Sequence, residues 1–513
     1  MKVLFVDCLN TGNYNKWKEV IPLAPRRILW ILKKKDVEFT FLTYFDFLRK
    51  RRISKEFDVL MVSGMFTDLK QVRNVRNIFT KFNKKAIKIA GGPISEDPKI
   101  ALRRAGYDLA IVGEGERTVE KLVENSFEVS DLSEYENLAI EKNGKIFFSR
   151  RTFLKTEEIE RYKNYDEILR KYPYYFASKV YVEVVRGCSN FRRVRENCLN
   201  CNVCFNGPLE KRLYCPLNIP PGCGFCSVPS IFGPARSLSV NYIVEEIKSA
   251  IKNGSRRIVL EAPDLLDYGR DELVKPAPLT DPRNPPANLE ALKNLFQKIF
   301  SIKKIKNGEV AISIENIKAN LVDEKVGELL GKYFSGTEIH LGCETGDKEH
   351  AEKIARPTYP QEVVKAIKIL KKNGLIPHVY FIYGLPFQTK KTVENTIKTI
   401  KECAMVGAKR ILIYRFLPLP SSAFENFPRA RIEDPLNSKL RNFVRKINFE
   451  LKKELIGSVK KYIVVERVGK RYIGYPFKEG PNCIILGKNI RVGKTYKVKI
   501  INIKNNLVVG RVV

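Results

Sequence analysis

The first part of the chain alternates short apolar runs with segments long enough to form helices. Five runs rich in Val, Ile, Leu and Phe precede residue 125: KVLFVD, VEFTFLTY, DVLMVSG, IKIAGG and LAIVGEG. Apolar runs of this length, separated by helix-length polar segments, are typical of parallel strands joined by crossover helices. The pattern therefore predicts an α/β fold in which residues 1–125 form a doubly wound sheet.

Small residues follow two of these predicted strands. Gly91 and Gly92 come after the fourth run, and Gly113 and Gly115 come after the fifth. Folds of this class bind ligands at the carboxyl ends of their strands, and glycine lets a backbone approach a bulky ligand closely. The four glycines are therefore candidate ligand contacts, although glycine at a strand end is also common in ordinary turns.

The pattern of apolar positions changes several times after residue 125. Residues 126–180 are predicted to be a connector that carries a hairpin at Asn143-Gly144. Residues 181–433 contain six strand and helix units in a row, which favours a parallel barrel, complete or partial, with its chemistry at the strand carboxyl ends. A linking helix is predicted over 434–454. The short strands with Gly or Asn turns in 455–513 predict a small closed β-barrel.

The charge of the chain indicates an anionic partner. Its 92 Lys and Arg residues outnumber 57 Asp and Glu residues, for a formal net charge of +35. A heat-adapted composition is an alternative explanation, but that bias normally adds Lys and Glu together. The excess of positive charge therefore favours a nucleic acid over an anionic membrane surface or an acidic protein.

The hydropathy of the chain predicts no membrane segment. We find no apolar run long enough to cross a bilayer. The segment Met1–Leu9 passes directly into polar residues, as expected of a first buried strand and its turn rather than of a signal peptide. We therefore expect a cytoplasmic protein, in which clustered cysteines serve as metal ligands more often than as disulfides.

Seven of the eleven cysteines lie between Cys188 and Cys226. Four of them match the spacing of a ferredoxin-like cluster, C-x2-C-x2-C followed by a cysteine before proline: Cys198, Cys201, Cys204 and Cys215. The other three are Cys188, Cys223 and Cys226. Four thiolates would cover every iron of a cubane, whereas three leave one iron open to a small molecule.

Two alternatives to this division remain open. Cys215 could complete the open site with Cys223 and Cys226, which would leave Cys188 in the closed set. Zinc is the second alternative, because C-x2-C pairs also form zinc ribbons. Seven cysteines do not divide into four-ligand zinc sites without a histidine, and the segment contains none. We favour iron-sulfur clusters, with Cys188 in the open set because it ends a predicted barrel strand.

Beyond the cysteines, the chain resembles the radical S-adenosylmethionine (SAM) superfamily. The tight C-x3-C-x2-C loop usual in that family is absent, so the resemblance requires residues 189–222 to be an insertion that carries the second cluster. Four segments resemble successive strand motifs of tRNA methylthiotransferases within that superfamily: EAPDLLDYG, HLGCETGD, YGLPFQT and FLPLPSS. The resemblance spans about residues 182–425.

The resemblance implies two [4Fe-4S] clusters and a set of SAM contacts. The cluster of Cys188, Cys223 and Cys226 would bind SAM at its open iron and cleave it, with one electron from a donor such as a ferredoxin or flavodoxin, to a deoxyadenosyl radical. Glu344 would hold the ribose, or else form an ordinary barrel ion pair. Gly384 and Pro386 of YGLPFQT would also contact the cofactor.

The two ends of the chain resemble domains that accompany such barrels. The N-terminal sheet is similar to a cobalamin-binding domain, and the absence of histidine from residues 1–150 agrees with members that bind cobalamin without a lower imidazole. The segment from Leu455 is similar to the RNA-binding TRAM domain.

These resemblances imply several functions. A cobalamin-dependent methyltransferase acting on RNA, and first on tRNA, is the leading hypothesis. Alternatives are a tRNA methylthiotransferase, a radical enzyme acting on a protein or cofactor precursor, and a nucleic-acid-binding iron-sulfur protein without catalysis. Methylthiotransferases normally hold their second cluster with three cysteines in the N-terminal domain, and here that domain has only Cys8.

Overall fold

A computed structural model describes residues 1–9, 19–195, 201–504 and 507–513. The chain divides into two compact units. Unit 1 contains residues 1–181 and 248–255, and unit 2 contains residues 182–247 and 256–513. None of the helices in the described part of the chain is both long and apolar enough to span a membrane.

Unit 1 is built on one mixed sheet of seven strands. Unit 1 also contains the short strand β2, which is not part of this sheet. The eight strands are β1 (Lys2–Asp7), β2 (Val20–Ile21), β3 (Glu38–Thr43), β4 (Val59–Ser63), β5 (Ile87–Gly91), β6 (Leu109–Ile111), β7 (Leu138–Lys142) and β8 (Lys145–Phe148). The sheet order is β3-β1-β4-β5-β6-β7-β8. The five strands from β3 to β6 are parallel, and β7 and β8 are antiparallel additions.

Apolar periodicity explains the helices that cover this sheet. They are α1 (Leu23–Lys34), α2 (Tyr44–Lys50), α3 (Leu69–Phe82), α4 (Glu116–Glu124) and α5 (Thr156–Ile159). In α3 the buried residues Val72, Val75 and Phe79 recur at helical spacing and join the core beneath β4 and β5. All five positions of β4 are buried, as expected of a central parallel strand.

The hairpin predicted at Asn143-Gly144 forms and belongs to this sheet. Both residues have positive φ, 50° and 72°, as a two-residue hairpin turn requires. The pairing of β7 with β6 makes residues 138–148 part of the sheet, whereas the sequence predicted them to lie in a connector. The domain limits drawn from the sequence stay predictions.

Unit 2 contains the predicted run of parallel strands. Its strands, with β9 at the boundary between the units, are β9 (Lys179–Glu183), β10 (Val185–Arg186), β11 (Arg236–Ser237), β12 (Arg257–Glu261), β13 (Ala311–Ile314), β14 (Asn316–Ile317), β15 (Glu338–Glu344), β16 (Ile376–Tyr383) and β17 (Arg410–Arg415). Val184 N donates to Glu261 O at the end of β12. From there the parallel pairs are β12-β13, β14-β15, β15-β16 and β16-β17.

Helices alternate with these strands. They are α6 (Val203–Asn206), α7 (Val228–Phe232), α8 (Val240–Lys252), α9 (Leu289–Phe300), α10 (Lys303–Lys306), α11 (Glu324–Phe334), α12 (Lys348–Lys353), α13 (Pro360–Lys372), α14 (Lys390–Val406) and α15 (Pro435–Lys453). This alternation of parallel strands and helices confirms the predicted α/β fold class.

The last part of the chain is a closed five-stranded barrel. Its strands are β18 (Val459–Val468), β19 (Arg471–Pro476), β20 (Cys483–Leu486), β21 (Thr495–Lys504) and β22 (Leu507–Val512), in the order β18-β19-β20-β22-β21. It packs on the rest of unit 2 at the amino ends of the parallel strands. There Arg256, just before β12, donates to Gly493 O at 2.9 Å, and Lys478 Nζ donates to Ser335 O at 3.1 Å.

Candidate active site

Cys188 lies two residues after β10, in a turn that only glycine can begin. Gly187 has φ of +83°, and a Cβ there would overlap the carbonyl oxygens of Phe232, Gly233 and Pro234. Cys188 N donates to Gly233 O at 3.1 Å. The sequence Arg-Gly-Cys therefore fixes the position of this thiol.

Cys223 and Cys226 lie on one tight turn, in which Cys226 N donates to Cys223 O at 2.8 Å. Gly224 N donates to Ile354 O at 2.8 Å, and Phe424 N donates to Gly224 O at 2.9 Å. The turn is therefore held between the segments that follow α12 and β17, and the Phe424 ring covers Gly224.

Asn190 joins the two cysteine segments. Its backbone N donates to Cys188 Sγ at 3.4 Å, and its side-chain Nδ2 donates to Cys223 Sγ at 3.3 Å. The same Nδ2 donates to Ala355 O at 3.1 Å. One residue therefore contacts two thiols that are distant in sequence.

The surroundings of Cys188 and Cys226 raise the pKa of both thiols. Burial raises the pKa of Cys188 to about 11, with a smaller contribution from the neighbouring Cys223. Burial likewise raises the pKa of Cys226, and both Cys223 and Cys188 add to the effect. Three neighbouring thiolates in a site largely shielded from water need a bound cation to stabilise them, because like charges repel there.

Arg356, which the sequence reasoning missed, connects Cys223 to Glu344. Its Nη1 donates to Cys223 Sγ at 3.6 Å, and its Nη2 donates to Gly342 O at 2.6 Å and lies 3.7 Å from Glu344 Oε1. Burial raises the pKa of Glu344, and the Arg356 charge opposes that rise. Glu344 also has φ of +67°, a left-handed backbone conformation that is uncommon for residues other than glycine.

A second missed group, Lys318, lies near Cys188 and contacts the neighbouring Ser189. Its Nζ donates to Asp267 Oδ2 at 2.7 Å and to Ser189 Oγ at 2.8 Å, and it lies 3.0 Å from Asp264 Oδ2. The Lys318 charge lowers the pKa of Cys188 against the effect of burial. Within this ion network Lys318 lowers the pKa of Cys188, whereas the charge of Asp267 raises it.

The loop that contains Gly384 and Pro386 is tied to the loop after β15 by a histidine. His350 Nε2 lies 2.8 Å from Pro386 O, and its Nδ1 lies 2.9 Å from Thr345 Oγ1. Gly384 has φ of +71°, and a Cβ there would overlap Ala430. Glycine at 384 is therefore explained by packing as well as by the predicted cofactor contact.

The structure describes three of the four cysteines that are predicted to form the closed cluster. Cys198 lies outside the described residues. Cys204 is buried in α6, and Cys201 and Cys215 are partly exposed. The inserted segment is anchored to the loop after β12, since Arg212 Nη1 lies 2.8 Å from Asp281 Oδ2. The second cluster stays a prediction.

The four glycines of unit 1 lie at the carboxyl ends of β5 and β6 and differ in what surrounds them. A Cβ at Gly91 would meet no described atom within 4 Å, and one at Gly92, where φ is +78°, would lie 2.9 Å from Ser63 Oγ. Gly113 has φ of +80°, and Gly115 packs against Ile111 at the start of α4. The edge is therefore open at Gly91 and closely packed at Gly115.

Two buried hydroxyl groups lie beside this edge. Ser63 Oγ at the end of β4 and Ser95 Oγ have no hydrogen-bond partner among the described residues, and both side chains are almost fully buried. A buried polar atom of this kind indicates a missing partner. The carboxyl edge of β4 and β5 can therefore hold a ligand with hydrogen-bonding groups.

Part of this site lies in a segment that matches a known protein family. The model of the radical SAM superfamily matches residues 213–400. The chain belongs to the radical SAM superfamily. The matched segment includes Cys223, Cys226, Glu344 and Arg356 but begins after Cys188, so the inclusion of Cys188 rests on the contacts described above.

Related chains include transferases. Protein MJ1620 of Methanocaldococcus jannaschii is 40% identical over all of this chain and 98% of its own length. The ribosomal protein uS12 methylthiotransferase RimO of Clostridium botulinum is 25% identical over 54% of this chain and 60% of its own. The tRNA-2-methylthio-N(6)-dimethylallyladenosine synthase of Endomicrobium trichonymphae is 24% identical over 57% and 65%. This radical SAM protein is thus a transferase with methylthiotransferase relatives.

Solved structures share the fold over most of this chain. The radical SAM methyltransferase TsrM of Kitasatospora setae, with tryptophan substrate and a SAM analogue bound, has a TM-score of 0.59 and 13% identity over 83% of this chain and 75% of its own. The same enzyme with cobalamin and a [4Fe-4S] cluster bound has a TM-score of 0.57. At this identity the likeness shows the fold of cobalamin-dependent radical SAM methyltransferases.

Proposed function

We propose that this radical SAM transferase methylates an unactivated carbon of RNA, with tRNA as the first candidate, and that it uses cobalamin. The observation that carries the radical chemistry is that Asn190 contacts the sulfurs of both Cys188 and Cys223, and that Cys226 lies on the same tight turn as Cys223. Two further features, one in each unit, support the cobalamin and the RNA parts of the proposal.

Cys188, Cys223 and Cys226 would hold a [4Fe-4S] cluster whose remaining iron binds SAM. When bound, the cluster and SAM supply one-electron chemistry that removes a hydrogen atom from an unreactive carbon. Arg356 contacts Cys223 and holds the buried Glu344 at the end of β15, where an acidic side chain can accept hydrogen bonds from sugar hydroxyls. Phe424 covers the cysteine turn and helps exclude water from the site.

Cobalamin would bind unit 1 at the carboxyl edge of β4 and β5. Ser63 and Ser95 each carry a buried hydroxyl without a partner among the described residues, and Gly91 faces open space. These residues fit a bulky ligand that carries amide and phosphate groups. Residues 1–181 contain no histidine, so this unit offers no imidazole to the metal. Bound cobalamin would supply the methyl group.

RNA would bind the C-terminal barrel. Residues 455–513 contain thirteen Lys and Arg residues and only Glu466 and Glu479 as acids. Twelve of the thirteen basic residues are exposed, whereas Glu479 is buried and Glu466 is partly buried. A surface on which the exposed formal charges are positive is the footprint of a polyanion such as the phosphate backbone.

The sheet register places like charges opposite each other on this barrel. Lys461 on β18 is opposite Lys497 on β21, and Lys499 on β21 is opposite Arg511 on β22. Directly opposed like charges destabilise a sheet by a few tenths of a kcal/mol to about 1 kcal/mol. Bound phosphates would relieve this repulsion, so we assign RNA contact to the face formed by these three strands.

Methylthio transfer is the second candidate, because the sequence relatives of this chain include methylthiotransferases. Cys8 is the only cysteine in residues 1–181, and it is fully buried in the apolar core of unit 1. Unit 1 therefore offers no cysteine set for a sulfur-donating cluster, which favours methyl transfer.

The test of function is mass spectrometry of RNA nucleosides from a strain that lacks this gene. We expect one nucleoside to lose a methyl group attached to carbon. Loss of a methylthio group instead would select the second candidate. An unchanged nucleoside profile would refute the RNA hypothesis and direct the search to protein substrates.

A matched pair of charge variants tests the RNA surface. Lys497→Glu with Lys499→Glu should weaken tRNA binding and reduce its logarithmic salt dependence by about 2, since each lost phosphate contact removes about one unit of slope. Lys303→Glu with Lys304→Glu makes the same charge change on exposed residues of α10. If the two pairs of substitutions weaken tRNA binding equally, tRNA affinity depends on net charge and not on this face of the barrel.

A further inference from the structure

Two of the three histidines of the chain lie side by side within unit 2. His340 on β15 pairs in register with His378 on β16, and Glu338 precedes His340 by two positions, so it projects from the same face of the sheet. One ligand atom from each of Glu338, His340 and His378 lies within 4.8 Å of the other two. In the described part of the chain, this is the one group of three such side chains that close together.

The geometry of the three side chains is compatible with one shared ion. His378 Nε2 lies 3.5 Å from Glu338 Oε1. The two imidazole rings are stacked, with centroids 5.5 Å apart and planes at 17°. Metal–nitrogen and metal–oxygen bonds of about 2.0–2.2 Å separate neighbouring ligand atoms by about 3–4 Å. Small side-chain rotations would therefore complete coordination.

Tyr380 supplies the outer contact that metal-bound histidines usually make. Its hydroxyl lies 2.9 Å from His340 Nδ1. A metal-binding histidine donates its second ring N–H to an oxygen acceptor, which fixes the tautomer and the ring orientation. Tyr380 can accept from Nδ1 and so direct His340 Nε2 to the ion. The Tyr380 ring also stacks on Tyr414, which restrains its position.

This cluster is separate from the cysteine site. Glu344 ends the same strand four residues after His340, which is about 13 Å at ~3.3 Å per residue. Glu338 instead lies near the C-terminal barrel, where its charge acts on the Tyr462 hydroxyl. Arg410, opposite His378 on β17, is exposed, so solvent screens its charge.

We propose that Glu338, His340 and His378 bind a divalent transition-metal ion. Two imidazoles and one carboxylate are the protein ligands of many zinc sites and of the facial triads that bind ferrous iron. Mg²⁺ and Ca²⁺ prefer sites made entirely of oxygen ligands, so they are excluded by the donor set. The ion would link β15 to β16 at the end of the strands opposite the cysteine site.

The test is zinc binding by the full-length protein with its iron-sulfur clusters reconstituted under anaerobic conditions. Zinc and iron are measured together by mass spectrometry after equilibration with Zn²⁺ and removal of loosely bound metal. We expect one zinc per chain in the wild type, and its loss from His340→Gln and from His378→Gln with iron unchanged. Tyr380→Phe should keep the site but weaken zinc binding 10- to 100-fold.

The control and a spectroscopic readout locate the ion. His350→Gln removes the third histidine, which contacts Thr345 and Pro386, and should keep its zinc. Co²⁺ in place of Zn²⁺ should give d–d bands without sulfur-to-cobalt charge transfer, and those bands should disappear in His378→Gln. Zinc retained in both His340→Gln and His378→Gln, or a charge-transfer band from cysteine, would overturn the proposal. A wild type that binds no zinc would also overturn it.

Discussion

Replacement of Lys318 by methionine would remove the charge that stabilises two buried carboxylates. Lys318 Nζ lies 2.7 Å from Asp267 and 3.0 Å from Asp264, and all three side chains are buried. Asp267 would keep its ion pair with Arg270, whereas Asp264 would lose its cation. Removing one partner of a buried ion pair costs about 3–5 kcal/mol, so Lys318→Met should destabilise unit 2 by that amount near neutral pH.

The loss of stability caused by Lys318→Met should depend on pH. Burial raises the pKa of Asp264 even with Lys318 present, and the substitution should raise it further. When the pKa of a carboxyl group is higher in the folded state than in the unfolded state, the folded protein becomes less stable as pH rises from the unfolded pKa to the folded pKa. The unfolded value is about 3.9. Lys318→Met should therefore be less destabilising at pH 5 than at pH 8.

Hydrogen exchange measures this effect locally. A loss of about 3 kcal/mol corresponds to more than a hundredfold faster exchange, since each 1.4 kcal/mol is a factor of ten. We expect this change in peptides that cover 257–267 and 311–321. Lys325→Met removes an exposed lysine and should change stability by less than about 0.5 kcal/mol. Adding Asp264→Asn to Lys318→Met should recover much of the loss.

Two results would refute this reasoning. If hydrogen exchange in Lys318→Met is as slow as in the Lys325→Met control, the ion pairs of Lys318 contribute little to stability. A loss that stays the same from pH 5 to pH 8 would show that Asp264 does not carry the cost.

Three further predictions concern the cysteine site. Asn190→Ala removes the hydrogen bond from Asn190 Nδ2 to Cys223 Sγ, a sulfur that we propose as a cluster ligand. A hydrogen bond to such a sulfur stabilises the more negative reduced state, so the reduction potential measured by EPR titration should fall; an unchanged potential would contradict this role. Arg356→Met should lower deoxyadenosine formation and SAM affinity, since it removes the cation beside Glu344; normal SAM affinity would exclude Arg356 from binding. Gly224→Ala places a Cβ against the Phe424 ring and should cost about 1–3 kcal/mol in denaturant unfolding, with recovery in a variant that also carries Phe424→Leu.

The fold could be predicted largely from apolar periodicity, because local spacing determines which segments become strands and helices. The six strand and helix units after residue 181 and the closed barrel after residue 455 are examples. The place of the hairpin at 138–148 could not be predicted in this way. Its turn is local, but its pairing with β6 depends on the sheet edge that is available.

The candidate site was predictable where ligands are specified by spacing or by resemblance. Cys223 and Cys226 lie on one local turn, and Glu344 lies in a strand motif. Arg356 and Lys318 carry no local signal, because each is a single basic residue that the fold brings to the cysteines from a distant segment. The pairing of His340 with His378 likewise depends on the register between β15 and β16, which the sequence does not specify.

The central claim is that Cys188, rather than Cys215, joins Cys223 and Cys226 around the cluster that cleaves SAM. The direct measurement is 5′-deoxyadenosine formed from SAM by the reduced, reconstituted enzyme and by its Cys188→Ala and Cys215→Ala variants. We expect Cys188→Ala to abolish deoxyadenosine and Cys215→Ala to retain the ability to form it. Deoxyadenosine from Cys188→Ala together with none from Cys215→Ala would contradict the account.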